Sequence, residues 1–149
     1  MSEPKENPDE QARGFAILNP DTMFDPTSLG FSQVAIVSAA ARTVYVAGQG
    51  GGACKGDFAD QCRVAFESVD TAMRAAGGGI ADVVKLTVYI VDHDEVKHRA
   101  LIAAVHDAFG NRLAPSCTIV PLQQSGTSPK QLVEIEAVGV LQPFVNSQS

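Results

Sequence analysis

Apolar and polar positions alternate along this chain in two rhythms. A two-residue beat marks strands and a three-to-four-residue beat marks helices. Gly14–Leu18 is a short apolar run, and Gln33–Ser38 and Thr43–Gln49 are β-rich runs. Ala39–Arg42 between the last two reads as a hairpin turn. Phe58, Cys62, Phe66, Val69 and Met73 then recur at helical spacing, with Asp57 placed to cap the first turn and Gly77-Gly78-Gly79 to end the last. Val83–Val91 is a long strand. A second helix follows, capped by Asp92 or Asp94, with Val96, Leu101, Val105, Ala108 and Phe109 as its buried stripe and Gly110 as its stop. Ser116–Leu122 is a strand and Gln123–Lys130 a polar loop. In the last strand, Leu132–Leu141, Val133, Ile135, Ala137 and Gly139 alternate with Glu134, Glu136 and Val138.

The predicted order is β-β-β-α-β-α-β-β, an α+β fold with two helices on one face of a mixed sheet. Val83–Val91 reads as apolar on both sides, so the other sheet face needs a cover. With no third helix to supply it, another subunit is the expected cover. Residues 14–141 form one expected domain. Residues 1–13 read as a disordered acidic tail and 142–149 as a C-terminal tail.

Composition narrows the function. The chain has 149 residues, 45% of them hydrophobic, enough for one cored domain. A formal net charge of -6 with no Lys/Arg cluster argues against general nucleic-acid binding. The odd count of three cysteines, Cys54, Cys62 and Cys117, without a CxxC pair, excludes a disulfide framework and a zinc ribbon and fits free thiols in a cytoplasmic protein. The first 13 residues lack the apolar core of a signal peptide, and no apolar run approaches the roughly 20 residues of a membrane-spanning helix.

Several motifs are decoys. Gly48-Gln49-Gly50-Gly51-Gly52-Ala53 formally fits a dinucleotide fingerprint, but no helix opens at its glycines. His98 and His106 are eight apart, about 12 Å along a helix, too far for one metal ion. Ser116-Cys117 has no histidine tied to it by local spacing, so both read as strand residues. Glu134 and Glu136, two apart on a strand, point to one face and give a candidate acid, base or ligand group beside a solvated edge as the plain alternative.

Four stretches carry a family resemblance. They are Val46-Ala47-Gly48-Gln49, Gly78 to Ile90 (GGIADVVKLTVYI), Asp107-Ala108-Phe109, and Val133 to Val138 (VEIEAV). In that order they resemble the RidA (YjgF-like, endoribonuclease L-PSP) family from about Gly30 to Leu141. The resemblance implies a chorismate-mutase-like fold. It also implies a homotrimer whose sheets form an inner β-barrel, with small-molecule clefts between subunits. Deaminase members hydrolyse reactive imines or enamines without metal or organic cofactor, and other members are described as ribonucleases or translation inhibitors.

The departures from that pattern matter. Family deaminases hold the substrate carboxylate with an arginine in a P-A-R-S motif. Here the chain reads Leu113-Ala114-Pro115-Ser116-Cys117, with Pro115 in the arginine's place. Proline offers neither guanidinium nor backbone N–H, and a charge-assisted hydrogen bond contributes about 1.5–3 kcal/mol. Arg112 is the nearest cation in sequence, about 10 Å away if the chain is extended. Phe31 stands where many members carry tyrosine, and Ala103 where many carry asparagine. Glu134 is retained, and the resemblance makes it the residue that positions attacking water.

The expected site is therefore Glu134 as the catalytic group, with Phe31, Gly48, Gln49, Arg112, Pro115, Ser116 and Cys117 around the ligand and no metal. The expected ligand is small and neutral or cationic, because an acidic cleft without a clamp disfavours anions. A conventional imine deaminase, a non-catalytic binding trimer and a ribonuclease are the competing readings.

Overall fold

The computed structural model describes residues 13–51, 56–126 and 128–144, so the tails expected at 1–13 and 142–149 lie almost wholly outside the described residues, as does Cys54. The strands are β1 (Phe15–Leu18), β2 (Val34–Val37), β3 (Arg42–Gly50), β4 (Val83–Val91), β5 (Ser116–Leu122) and β6 (Val133–Leu141). The helices are α1 (Phe58–Ala75) and α2 (Glu95–Phe109). The fold is α+β, with both helices on one side of a mixed sheet.

Local chemistry sets the helix ends. Asp57 accepts a hydrogen bond from Asp60 N at 3.0 Å, and Asp60 accepts one from Asp57 N at 3.1 Å, a reciprocal capping box. All five apolar stripe residues of α1 are buried. Asp94, rather than Asp92, caps α2 by accepting from Lys97 N at 2.8 Å. Asp92 instead turns the chain with φ of 49°, and Lys97 Nζ clamps that turn by donating to the carbonyls of Val91 and Asp92. Leu101, Val105 and Phe109 are buried as expected, but Val96 is 75% exposed. Five residues before Leu101, it lies about 140° around the helix from that stripe.

β3, β6, β4 and β5 form the main sheet in that order. β6 is antiparallel to both neighbours, and β4 is parallel to β5. The helices cover one face through a core containing Cys62, Phe66, Met73, Leu86, Ile90, Val105 and Ile135. β2 does not form a hairpin with β3. It pairs with β1, Phe15 opposite Val37 and Leu18 opposite Val34. Ala39-Ala40-Ala41 contains none of the Gly, Asn or Asp residues that tight hairpin turns require, so the chain bends there and changes sheet. The β1–β2 ribbon seats Phe15 and Ile17 on Val84 and Val140, covering one end of the sheet's second face.

The rest of that second face is not apolar, contrary to the sequence reading. On β4 the half-buried positions are Lys85, Thr87 and Tyr89, while Leu86, Val88 and Ile90 point to the helices. Glu134 and Glu136 of β6 share the face with Tyr45, which is 82% exposed. The face is a polar surface with aromatic points.

Candidate functional site

Glu134 sits in a seat that three elements build. Val46 pairs with Ala137 but Gln49 with Ile135, so β3 carries an extra residue at Ala47–Gly48. This is a β-bulge, which bends the strand and re-aims its neighbours. The Glu134 side chain crosses that bulge so closely that a Cβ on Gly48 would collide with its Oε1. Gln131 Nε2 donates to Glu134 Oε2 at 2.9 Å. The Gln131 side chain in turn lies over Gly50, which has no room for a Cβ.

The loop that carries Gln131 is fixed from α1. Buried Gln61 donates to the carbonyl of Lys130 at 3.1 Å and accepts from Leu132 N at 2.8 Å. The helix thus grips the backbone on both sides of Gln131, and Gln131 grips the carboxylate. Each buried amide is hydrogen-bonded, as a low-dielectric site demands. Gln49, the other expected residue here, folds back to donate to the Ala47 carbonyl at 3.0 Å.

One aromatic–acid contact extends this end. Tyr89 lies opposite Glu134 in the register, and its hydroxyl donates to Glu136 Oε1 at 3.3 Å. Loss of solvent and then the neighbouring carboxylates of Glu136 and Glu134 push the Tyr89 phenol above its ordinary pKa. Glu134 therefore has a neutral phenol beside it at neutral pH.

The Pro115 end is built differently. Pro115 is fully buried, and its carbonyl accepts from Ser32 N at 3.0 Å, tying the start of β5 to the segment after Phe31. Ser116 Oγ donates to the Val84 carbonyl at 2.9 Å, so its hydroxyl is engaged within the sheet. Cys117 faces the helix side, where desolvation pushes its thiol pKa up to about 11, against a smaller lowering from Lys85. It is a thiol at neutral pH, not the thiolate that nucleophilic chemistry needs.

Phe31, stacked edge-to-face on Phe24 at 6.2 Å, separates two cavities. One, of about 310 Å3, is lined by Leu29, Ile102, Val105, Cys117 and Ile119. The other, of about 210 Å3, is lined by Thr27, His106, Asn111, Arg112 and Leu113. Arg112 is exposed and belongs to this end.

The structure thus divides the expected site residues into two groups. Gly48, Gln49 and Glu134 share one end of the sheet; Phe31, Arg112, Pro115, Ser116 and Cys117 share the other. Glu134 is opposite Tyr89 and Ser116 is opposite Lys85, four residues apart on β4. At about 3.3 Å per residue, and with β4 lying between the other two strands, the groups are over roughly 13 Å apart. A ligand of imine size cannot touch both within one chain.

Gln61 and Gln131 were missed by the sequence reading. The one sequence signal was a glutamine three positions before Glu134. Lys85, whose Nζ donates to Thr118 Oγ1 at 2.8 Å on the open face, was missed as well. His93 and His98 do approach, with ring nitrogens 3.3 Å apart. Among the described residues no group of three or more His, Cys, Asp or Glu side chains could hold a metal ion. Nor is any described helix long and apolar enough to cross a membrane.

Comparison with known proteins gives a consistent picture. The family model described as Endoribonuclease L-PSP matches residues 25–141. A RutC family protein of Pyrococcus horikoshii is 31% identical over 106 residues, 66% of this chain and 79% of its own length. The 2-iminobutanoate/2-iminopropanoate deaminase of Bos taurus is 28% identical over 130 residues, 82% of this chain and 88% of its own length. Among solved structures, a Rid family protein of unknown function from Yersinia pestis superposes with a TM-score of 0.78 at 27% identity, covering 86% of this chain and 99% of that one. A YjgF/YER057c/UK114 family member from Mycobacterium tuberculosis superposes with a TM-score of 0.60 at 28% identity, covering 85% and 99%.

Proposed function

The chain belongs to the Endoribonuclease L-PSP family, the RutC/RidA/YjgF group, and from that premise we propose that it is a cofactor-independent homotrimer whose intersubunit clefts bind or hydrolyse a small molecule other than a simple 2-imino acid. One observation carries this reading. A carboxylate is seated by Gln131 across the Gly48 bulge, while the strand start at the other end presents a buried proline, at the position where the family resemblance puts a carboxylate-binding arginine. The two groups are too far apart to serve one ligand within a chain. Joining the Glu134 end of one protomer to the Pro115 end of the next completes a cleft and covers the polar sheet face.

The chemistry follows from the groups available. Glu134 Oε2 is engaged by Gln131, which leaves Oε1 beside the bulge as the acceptor for a water proton. A water so oriented adds to the carbon of an uncharged imine. The nitrogen takes up the proton, and collapse of the carbinolamine releases ammonia and a carbonyl product. Ser116 and the backbone near Cys117 form the polar wall and Phe31 the apolar one. An acidic cleft of this kind favours a neutral or cationic ligand. The net charge of -6 sets the ribonuclease reading last, and the cytoplasm is the proposed location.

The test is an assay of purified protein on freshly generated 2-iminopropanoate beside an uncharged aliphatic imine. Turnover of the uncharged imine alone, abolished in Glu134→Gln, is the expected result. Turnover of 2-iminopropanoate comparable to that of arginine-bearing relatives overturns the reading. A second reading, the conventional deaminase, is favoured by the position of Arg112 at the Pro115 end beside Phe31 and His106. It predicts 2-iminopropanoate turnover that Arg112→Ala removes.

A further inference from the structure

Gly30 and Phe31 lead the chain past the edge strand β5 toward the inner side of α2, and a cavity of about 310 Å3 remains between them. Its wall is hydrocarbon from three directions: Leu29 and Phe31 from the segment before β2, Ile102 and Val105 from α2, Ile119 from β5. No Asp, Glu, Lys, Arg or His side chain lines it. Its polar groups are the Cys117 thiol, which holds its proton at neutral pH, and the Thr118 side. Small-molecule pockets begin at about this size and share this apolar character with few polar groups.

The apolar surface continues past the mouth. Phe24, 62% exposed, stacks on Phe31, and Leu29 and Leu113 are 44% and 41% exposed beside the same ring. Phe24, Leu29 and Leu113 thus set an exposed apolar rim beside the Phe31 ring, continuous with the cavity wall. Charge complementarity sets what the cavity takes. It supplies no counter-ion for a carboxylate, phosphate or ammonium, and burying an unpaired charge there is prohibitive. An uncharged apolar group meets no such penalty.

We infer that the ligand of this site carries a bulky, uncharged aliphatic group, which lodges between Phe31, Ile102 and Ile119 while its polar end faces the cleft. The inference rests on the reading of this end as half of a ligand cleft, and it names the substrate class. The substrate is an imine, enamine or similar small molecule with a branched or extended hydrocarbon tail, not a two- or three-carbon metabolite. Phe31 and Ile102 are then specificity-determining residues.

The experiment uses the full chain in its native assembly and a homologous series of uncharged primary amides, from acetamide to hexanamide, titrated by calorimetry. The expected result is a Kd that falls about four-fold with each added methylene until the cavity is filled. Ile102→Trp, which fills the cavity, abolishes that gain. Leu29→Trp, at an exposed position that the fold tolerates, reduces it. A Kd that stays flat along the series, the absence of binding by every member, or a gain that survives both variants overturns the inference. Failure here is separable from failure of the functional reading. A flat series together with Glu134-dependent turnover of an uncharged imine leaves that reading standing. A steep series together with 2-iminopropanoate turnover sinks that reading and overturns the exclusion of three-carbon substrates, while the apolar lodging site stands.

Discussion

The two ends of the main sheet are built on opposite principles. At the Glu134 end, specificity of position comes from polar groups that satisfy one another: α1 holds the loop through Gln61, the loop holds Glu134 through Gln131, and glycines leave the space. At the Pro115 end Ser116 and the Pro115 carbonyl are engaged by backbone, the cavity between Phe31 and α2 is walled by hydrocarbon, and Arg112 and His106 line only the neighbouring cavity. A fully satisfied network resists drift because each lost partner leaves a buried polar group unpaired, at about 1–3 kcal/mol. An apolar wall has no such constraint and can change shape by single substitutions at less than about 1.5 kcal/mol when volume is kept. Under the proposed function, reaction chemistry is anchored at the polar end and ligand choice resides at the apolar one.

The sharpest way to break this contrast is to remove the carboxylate. Glu134→Gln keeps the shape and the contact with Gln131, and turnover should fall about 10²- to 10⁴-fold with little change in melting temperature. Retention of full activity on an authentic substrate would show that the network holds a structural residue only. At the other end, Pro115→Arg should raise activity on 2-iminopropanoate by about 10- to 150-fold, the worth of one charge-assisted carboxylate contact. Steady-state kinetics that show no gain would mean the missing arginine is not what limits this chain.

A smaller effect separates the positioning residue from the carboxylate it holds. Gln131→Ala should destabilise the fold by about 1–3 kcal/mol in urea melts and lower kcat more than it raises KM. An unchanged KM-to-kcat balance would assign Gln131 to stability alone. The smallest expected effect is on alkaline stability. The Cys117 thiol is raised to about 11 in the fold, from an ordinary value near 9. A raised folded pKa contributes stability that is complete below pH 9 and is lost as pH climbs toward 11, because the unfolded chain releases its proton first. Cys117 is only half-buried, so solvent screening keeps the effect small. Denaturation series of Cys117→Val against the parent between pH 8 and 11 should show a shallower decline, and identical slopes would contradict the assignment.

Much of this could be read from the chain. Asp57, the five-residue stripe of α1, Gly110 and the alternation in β6 each express a local rule, and each appears where the rule puts it. The Glu134–Glu136 shared face follows from the two-residue period and is present. What could not be read depends on strand order. The partner of β2 and the division of the site into two ends follow from which strands are neighbours, and no local pattern encodes that; the polar open face, in contrast, follows from the alternation of Lys85, Thr87 and Tyr89 with Leu86, Val88 and Ile90 in β4. Gln61 and Gln131 were hidden for the same reason. A buried glutamine that bonds backbone 69 residues away looks, in sequence, like any polar residue on a helix.

The extra residue at Ala47–Gly48 has an implication for engineering this fold. Deleting one position there would let β3 and β6 run in unbroken step, and the resulting sheet would gain a ladder bond and lose a kink. Gln49 and Gly50 would keep their partners Ile135 and Glu134, but if Gly48 were the residue lost, Ala47 would stand opposite Glu136 and press a Cβ toward the space the Glu134 carboxylate occupies. Sequence optimisation that rewards regularity should therefore yield a protein that melts higher and does less, so this small irregularity belongs among the positions to leave untouched.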